Sequence, residues 1–127
     1  MRQRRPGGQS QFSALLDTGG IDGRFSHLMD WARERLAEPL TVERLAARAA
    51  MSPRNFARVF AAETGLTPAR AVERLRLDTA RLRVEAGREP IEGIALAAGF
   101  GDPERMRRAF LRAFGQPPQA LRRAART

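Results

Sequence analysis

Apolar residues recur along this chain at helical spacing, and one arrangement of them occurs twice, about 49 residues apart. Val42, Leu45, Ala46 and Ala49 follow the i, i+3, i+4, i+7 spacing of one helix face, and so do Ile91, Ile94, Ala95 and Ala98. Each run breaks at a small residue followed by a large apolar one, Ala50-Met51 in the first copy and Gly99-Phe100 in the second. A second amphipathic stretch follows each break. Phe56, Val59 and Phe60 in the first correspond to Met106, Ala109 and Phe110 in the second. Both copies end in Gly-x-x-Pro, at Gly65 to Pro68 and at Gly115 to Pro118. The offset grows by one at the break, so the second turn holds one more residue. Two helices joined by a short turn, repeated, predict two helix-turn-helix units.

The rest of the pattern supplies the surrounding helices. Phe25, Leu28, Met29, Ala32 and Leu36 form a stripe that predicts a helix over about 24–37, ended by Pro39. Trp31 sits at the stripe edge and reads as a core or boundary aromatic, and the single histidine, His27, as a surface or partly buried polar residue. Thr41 caps the second helix, with Glu43 near its positive end. Ser52-Pro53 and Asp102-Pro103 each join an N-cap residue to a proline at the first helical position. Thr67-Pro68 starts a long helix over about 68–86 that Gly87 terminates. Its predicted stripe is Val72, Leu75, Thr79 and Leu82, widened by Leu77 and Ala80. Pro90 opens the fifth helix, and Pro117-Pro118 a short seventh ending near Arg126. No run alternates apolar and polar residues as a strand would.

The expected fold is therefore all-α: a seven-helix domain over 23–127, with two helix-turn-helix subdomains joined by a long central helix. The first motif is expected at about 41–64 and the second at about 90–114. Residues 1–22 begin with three Arg, two Gly and a Pro among their first ten residues and read as a flexible arm or linker. Phe12, Leu15 and Leu16 can form one short helical turn within it.

Charge gives this architecture a direction. The chain carries 23 basic and 14 acidic side chains, for a net charge of +9. Every basic residue is Arg. The balance implies an anionic partner, and guanidinium binds phosphate and guanine edges bidentately. A high-GC coding bias would produce the same richness in Arg and Ala. With no Cys, disulfides, thiolate metal sites and thiol nucleophiles are excluded. No apolar run approaches transmembrane length, and the N-terminus lacks the apolar core of a signal peptide. A cytoplasmic, nucleoid-associated location, no membrane partner and no cofactor are expected.

In a helix-turn-helix the second helix lies in the major groove. If Phe56, Val59 and Phe60 point inward, Arg54, Ala57, Arg58 and Ala61 face outward. If Met106, Ala109 and Phe110 point inward, Glu104, Arg105, Arg107, Arg108 and Arg112 do so. Arg58 and Arg108 occupy equivalent positions, where each could pair bidentately with guanine. Glu104 could accept from a cytosine amine, and Ala57 could touch a thymine methyl. On the residues alone, the base-contact candidates are Ala57, Arg58, Glu104 and Arg108. The phosphate candidates are Thr41 and, because phosphate bonds outnumber base bonds, Arg54, Arg105, Arg107 and Arg112. The helix N-termini near Thr41 and Pro90 can also donate N–H groups to phosphate. A central helix of about 19 residues is about 28 Å long, against about 34 Å between successive major-groove faces. Recognition helices spaced by less than a full turn would bend the DNA.

The segment from Leu40 to Phe60 resembles the first motif of the DNA-binding domain of the AraC/XylS family of bacterial transcription regulators. Glu63-Thr-Gly-Leu-Thr-Pro68 and Arg74-Leu75-Arg76-Leu77 resemble the segment that follows. Ile91 to Phe100, with Phe110 and Phe114-Gly115, resembles the signature of the second motif. The resemblance covers about 100 residues of the chain. It implies binding of double-stranded promoter DNA by both recognition helices and contact with RNA polymerase, and it puts base contacts on Arg54, Ala57, Arg58, Glu104, Arg105 and Arg108. Ala57 departs from the longer polar residue often found there, and Leu121 from an aromatic. The stretch from Arg5 to Phe12 looks like the linker of a branch whose full-length members carry an amidotransferase-like sensor domain, which this sequence lacks. A fragment and a short regulator are both compatible with that.

Three other classes compete with a sequence-specific regulator. A charge-driven nucleic-acid binder would share the composition, and a specificity ratio separates the two. A helical module for an acidic protein partner would share the basic face. An enzyme is not expected: no Walker-type loop, serine elbow or His-x-x-x-His pattern occurs. Two motifs in one chain permit a monomer on an asymmetric site, and no heptad predicts a coiled coil. The oligomeric state is left open.

Overall fold

Capping side chains set four of the seven helix starts among the described residues. In the computed structural model, which describes residues 23–126, the helices are α1 Gly23–Arg33, α2 Val42–Arg48, α3 Pro53–Thr64, α4 Pro68–Ala86, α5 Ile91–Ala97, α6 Pro103–Phe114 and α7 Pro118–Arg126. Among the described residues these seven helices are the only regular elements, and there is no strand. The expected arm over 1–22, with its turn at Phe12 to Leu16, lies outside them. Thr41 Oγ1 accepts from the Arg44 N–H at 3.1 Å, and Ser52 Oγ from that of Asn55 at 3.3 Å. Thr67 Oγ1 accepts from Arg70 at 3.2 Å and Asp102 Oδ1 from Arg105 at 2.9 Å. Each such cap is worth about 1 kcal/mol. Pro90, at the N-cap of α5, offers no side-chain acceptor.

The two helix-turn-helix breaks share one backbone design. In the first, the Met51 N–H reaches back to Ala46 O at 2.9 Å and that of Ala50 to Ala47 O at 3.0 Å. In the second, Phe100 reaches Ala95 O at 2.9 Å and Gly99 reaches Leu96 O at 3.2 Å. This nested pair closes a helix around one left-handed residue. That residue is Ala50 at φ 60° in the first copy and Gly99 at φ 93° in the second. The extra residue of the second turn is Gly101, also left-handed at φ 92°. An L side chain in this region is strained. Ala50→Gly is therefore expected to stabilise the protein by about 0.5–1 kcal/mol, read as a rise in the denaturation midpoint. A lowered midpoint would contradict the strain at Ala50.

The described residues divide into two compact units, one of residues up to Arg35 with Pro39–Leu75, the other Leu36–Glu38 with Arg76 onward. In the first, Phe25, Phe56 and Phe60 form an aromatic triangle with ring centroids 5.2–5.8 Å apart. Leu28, Met29, Ala32, Leu45, Ala46, Ala71, Val72 and Leu75 are buried in the same unit. Aromatic pairs of this kind add about 0.5–1.5 kcal/mol each beyond area burial, which fixes the inward face of α3. Trp31 is half-buried, as its place at the stripe edge predicts. The guanidiniums of Arg35, Arg44 and Arg48 lie 4.7, 5.3 and 5.2 Å from its ring centre.

In the second unit, Leu77, Ala80 and Val84 of α4 join Ile94, Ala95 and Ala98, then Met106, Ala109 and Phe110, then Leu121, in one apolar core. Phe110 meets Phe114 edge-on at 5.2 Å, and Arg81 lies 4.6 Å from the Phe114 ring centre while pairing with Glu85 at 2.9 Å. Arg83 holds Glu89 through both carboxylate oxygens, bracing the loop between α4 and α5. Arg122 Nε donates to Val84 O at 3.0 Å, tying α7 to the end of α4. Arg76 donates to Leu36 O at 3.3 and 3.0 Å and to Glu38 O at 3.0 Å.

Two expectations are corrected. The first helix ends at Arg33, not near Ala37: residues 34–37 form a turn, where the Arg35 N–H bonds to Ala32 O at 2.9 Å. The carbonyls of Leu36 and Glu38 are taken by Arg76 instead of by helix N–H groups. Leu36 is still buried, as the stripe predicted. Leu82 is 65% exposed and outside the core. It continues the row of Val72 and Leu75, whereas the second unit's core takes the row of Leu77, Ala80 and Val84.

Candidate nucleic-acid interface

The buried faces of α3 and α6 determine what each helix can offer a ligand. Phe56 and Phe60 are fully buried on α3, and Met106, Ala109 and Phe110 on α6. At 100° per residue, the outward row of α3 is centred on Arg54 and Arg58, and that of α6 on Glu104 and Arg108. Arg54 and Arg58 are exposed, and Ala57 and Ala61 are half-buried beside them. Val59, expected inward, is half-buried. Glu104, Arg105, Arg107, Arg108 and Arg112 are all exposed. Every arginine expected to face outward does so, within its own unit.

Local acceptors hold some of these arginines. Asn55 Oδ1 accepts from Arg58 Nη2, one helical turn away. Glu104 is gripped by Arg107, with Nε donating to Oε1 and Nη2 to Oε2, each at 3.0 Å. Arg108 Nε stands 3.8 Å from the same Oε2. The hydrogen bonds from Arg107 hold the Glu104 carboxyl below the usual carboxylate range, so it stays ionised through mild acid. Sequence reasoning missed Asn55 because it lies on the flank of α3, off the outward row. Its i, i+3 spacing to Arg58 was the available signal.

Thr41 is exposed at the N-cap of α2, where its oxygen accepts the Arg44 N–H. The hydroxyl proton remains for an outside acceptor. Arg112 lies in the last turn of α6, one turn beyond Arg108. No helix among the described residues is long and apolar enough to cross a membrane.

Comparison with known proteins gives this geometry a family. Residues 45–124 match the model of a helix-turn-helix domain. The chain is 49% identical over 80 residues to the HTH-type transcriptional regulator Rv1931c of Mycobacterium tuberculosis, covering 63% of this chain and 31% of that protein. It is 36% identical over 110 residues to the HTH-type transcriptional activator RhaS of Escherichia fergusonii, covering 87% of this chain and 40% of that protein. It thus spans well under half the length of these curated relatives. Among solved structures, the DNA-binding domain of AdpA, a global transcriptional factor in complex with a target DNA, is 35% identical with a TM-score of 0.76. That match covers 83% of this chain and 95% of the AdpA chain. A transcriptional regulator from Chromobacterium violaceum, described by its AraC-type DNA-binding domain, shares the fold at a TM-score of 0.77 and 23% identity. The chain belongs to the helix-turn-helix domain family, and its fold is that of an AraC-type DNA-binding domain.

Proposed function

We propose that this chain is a sequence-specific, double-stranded DNA-binding module of a transcription regulator, which lays α3 and α6 in successive major grooves of a promoter. One observation carries the reading. Arg58 and Arg108, at equivalent positions of the repeat, are both exposed on helices whose opposite faces are fully buried. Each can present a planar fork of donors to guanine O6 and N7. Arg54, Ala57, Glu104 and Arg105 flank them as further base-contact positions. Thr41, Arg107 and Arg112 contact phosphate, with the net charge of +9 supplying the salt-sensitive part of the affinity.

Two motifs in one chain let a monomer occupy an asymmetric site. The role is binding, not catalysis, and it belongs in the cytoplasm, at the nucleoid. Similarity to a transcriptional regulator and to a transcriptional activator supports contact with RNA polymerase once bound. Selection of bound duplexes from a random pool tests the reading. Two short enriched blocks about 10 base pairs apart are expected. Binding without enrichment would instead mean attachment by charge alone.

A further inference from the structure

The outward face of α6 carries a carboxylate among four arginines, Arg105, Arg107, Arg108 and Arg112. At the equivalent position of α3 stands Arg54, so the repeat reverses charge at this one place of its outward row. A carboxylate facing DNA repels phosphate and must be offset by something it does. Glu104 Oε1 and Oε2 each accept a hydrogen bond from Arg107 at 3.0 Å, and Arg108 Nε is 3.8 Å from Oε2. The pair is bidentate and sits at the solvent surface, with the side chains of Glu104 and Arg107 55% and 50% exposed. It therefore adds little to folding.

We propose that Glu104 is a specificity-positioning residue, which acts through Arg107 to hold that guanidinium toward base edges and away from phosphate. The inference rests on the DNA-reading function proposed above. It reassigns Arg107 from phosphate to the base-facing side, and Glu104 from reader to organiser.

The chemistry of the guanidinium supports this division of labour. Arg has five N–H donors, and the bidentate contact uses the Nε–H and one Nη2–H. Three donors remain, including the Nη1–Nη2 edge whose spacing matches guanine O6 and N7. An unpaired arginine on a groove-facing helix finds phosphate most often, because phosphate and sugar take half to two-thirds of protein–DNA hydrogen bonds. Pairing with Glu104 cancels the long-range pull of Arg107 on phosphate and leaves its directional donors in place. The hydrogen bonds that hold the Glu104 carboxyl below the usual range keep the pair charged and joined through mild acid.

The test uses the selected site and a random duplex at near-physiological salt. Affinities for both are measured for the wild-type chain, Glu104→Gln, Glu104→Asp, Arg107→Ala and the Glu104→Gln/Arg107→Ala double variant. Glu104→Gln is isosteric and uncharged. It is expected to tighten the random duplex several-fold and lower the specificity ratio by about ten-fold. Glu104→Asp keeps the charge but is too short to hold both donors of Arg107, and it lowers the ratio as well. With Arg107 already removed, Glu104→Gln is expected to change the ratio by less than about two-fold. Melting temperatures of the variants stay close to wild type, since the pair is exposed.

A full loss of ratio that persists without Arg107 would overturn the proposal, because Glu104 would then read a base directly. Equal shifts on both duplexes, or an unaffected ratio in Glu104→Asp, would also overturn it, leaving a charge effect alone. A wild-type chain that enriches no site at all would defeat the DNA-reading function itself, and this inference with it. A wild-type chain that enriches a site while Glu104→Gln leaves the ratio unchanged defeats only the inference.

Discussion

Replacing Gly99 by Val is expected to prevent the second unit from folding, and Gly99→Ala to come close to doing so. Gly99 closes α5 at φ 93°, a region that L side chains rarely adopt. A Cβ built there would lie 2.0 Å from the Leu36 carbonyl oxygen and 2.4 Å from Arg76 Nε. Neither atom can give way cheaply. The Leu36 carbonyl is backbone, and Arg76 is committed to it and to Glu38 O through three hydrogen bonds. Backbone strain, overlap and loss of this polar junction act together, so the expected cost exceeds about 4 kcal/mol. In thermal unfolding this reads as a drop of more than about 10 °C, or as no cooperative transition. Ala50 is the control. It holds the same place in the first turn, also left-handed, and already carries a Cβ. The position itself therefore tolerates a side chain, and the close approach of Leu36 and Arg76 is what demands glycine at 99. A melting temperature of Gly99→Val equal to wild type would refute this.

Arg58→Ala and Arg108→Ala are each expected to cost about 1–3 kcal/mol on the selected DNA site, up to about 100-fold in affinity. The loss should appear together with a relaxed base preference at one position, a different one for each residue. Both side chains lie in solvent opposite a buried apolar face, so truncation should leave the fold intact. The same substitutions on random DNA should cost far less. Equal losses on specific and random duplexes would mark these arginines as phosphate contacts. The first-unit arginine has a companion: removing Asn55, whose Oδ1 holds Arg58, should blur the same base position more mildly than Arg58→Ala does.

Much of this arrangement was legible in the sequence because it is local. Thr41, Ser52, Thr67 and Asp102 cap the helices they precede, and Gly65, Gly87 and Gly115 are left-handed at helix ends. Capping depends on residues within one turn, so spacing alone reveals it. The inward faces of α3 and α6 were legible for a similar reason. A residue as large as Phe56 or Phe110 has few places to go but the core.

What the sequence did not disclose depends on partners distant along the chain. The first helix stops early where Arg76, some 40 residues on, takes the Leu36 carbonyl. Leu82 reads as a core position on periodicity, yet the row containing Leu77, Ala80 and Val84 is the one covered by α5, α6 and α7. Periodicity gives the faces of a helix but not which of two apolar faces a neighbour will meet. Two of the three guanidiniums around Trp31, those of Arg44 and Arg48, come from the next helix, α2. At the recognition helices, exposure followed from the pattern, whereas the Glu104–Arg107 pair required side-chain geometry. A carboxylate at i with arginines at both i+3 and i+4 has two partners to choose from.

In the proposed function the two outward faces read sequence and do not merely attract phosphate. The most direct measurement is the affinity ratio between the selected duplex and a scrambled one of the same length and composition, at near-physiological salt. Sequence reading predicts a ratio of at least about 10³. A ratio near one, with affinity that falls steeply and equally for both duplexes as salt rises, would contradict it and leave only the charge of the arginines.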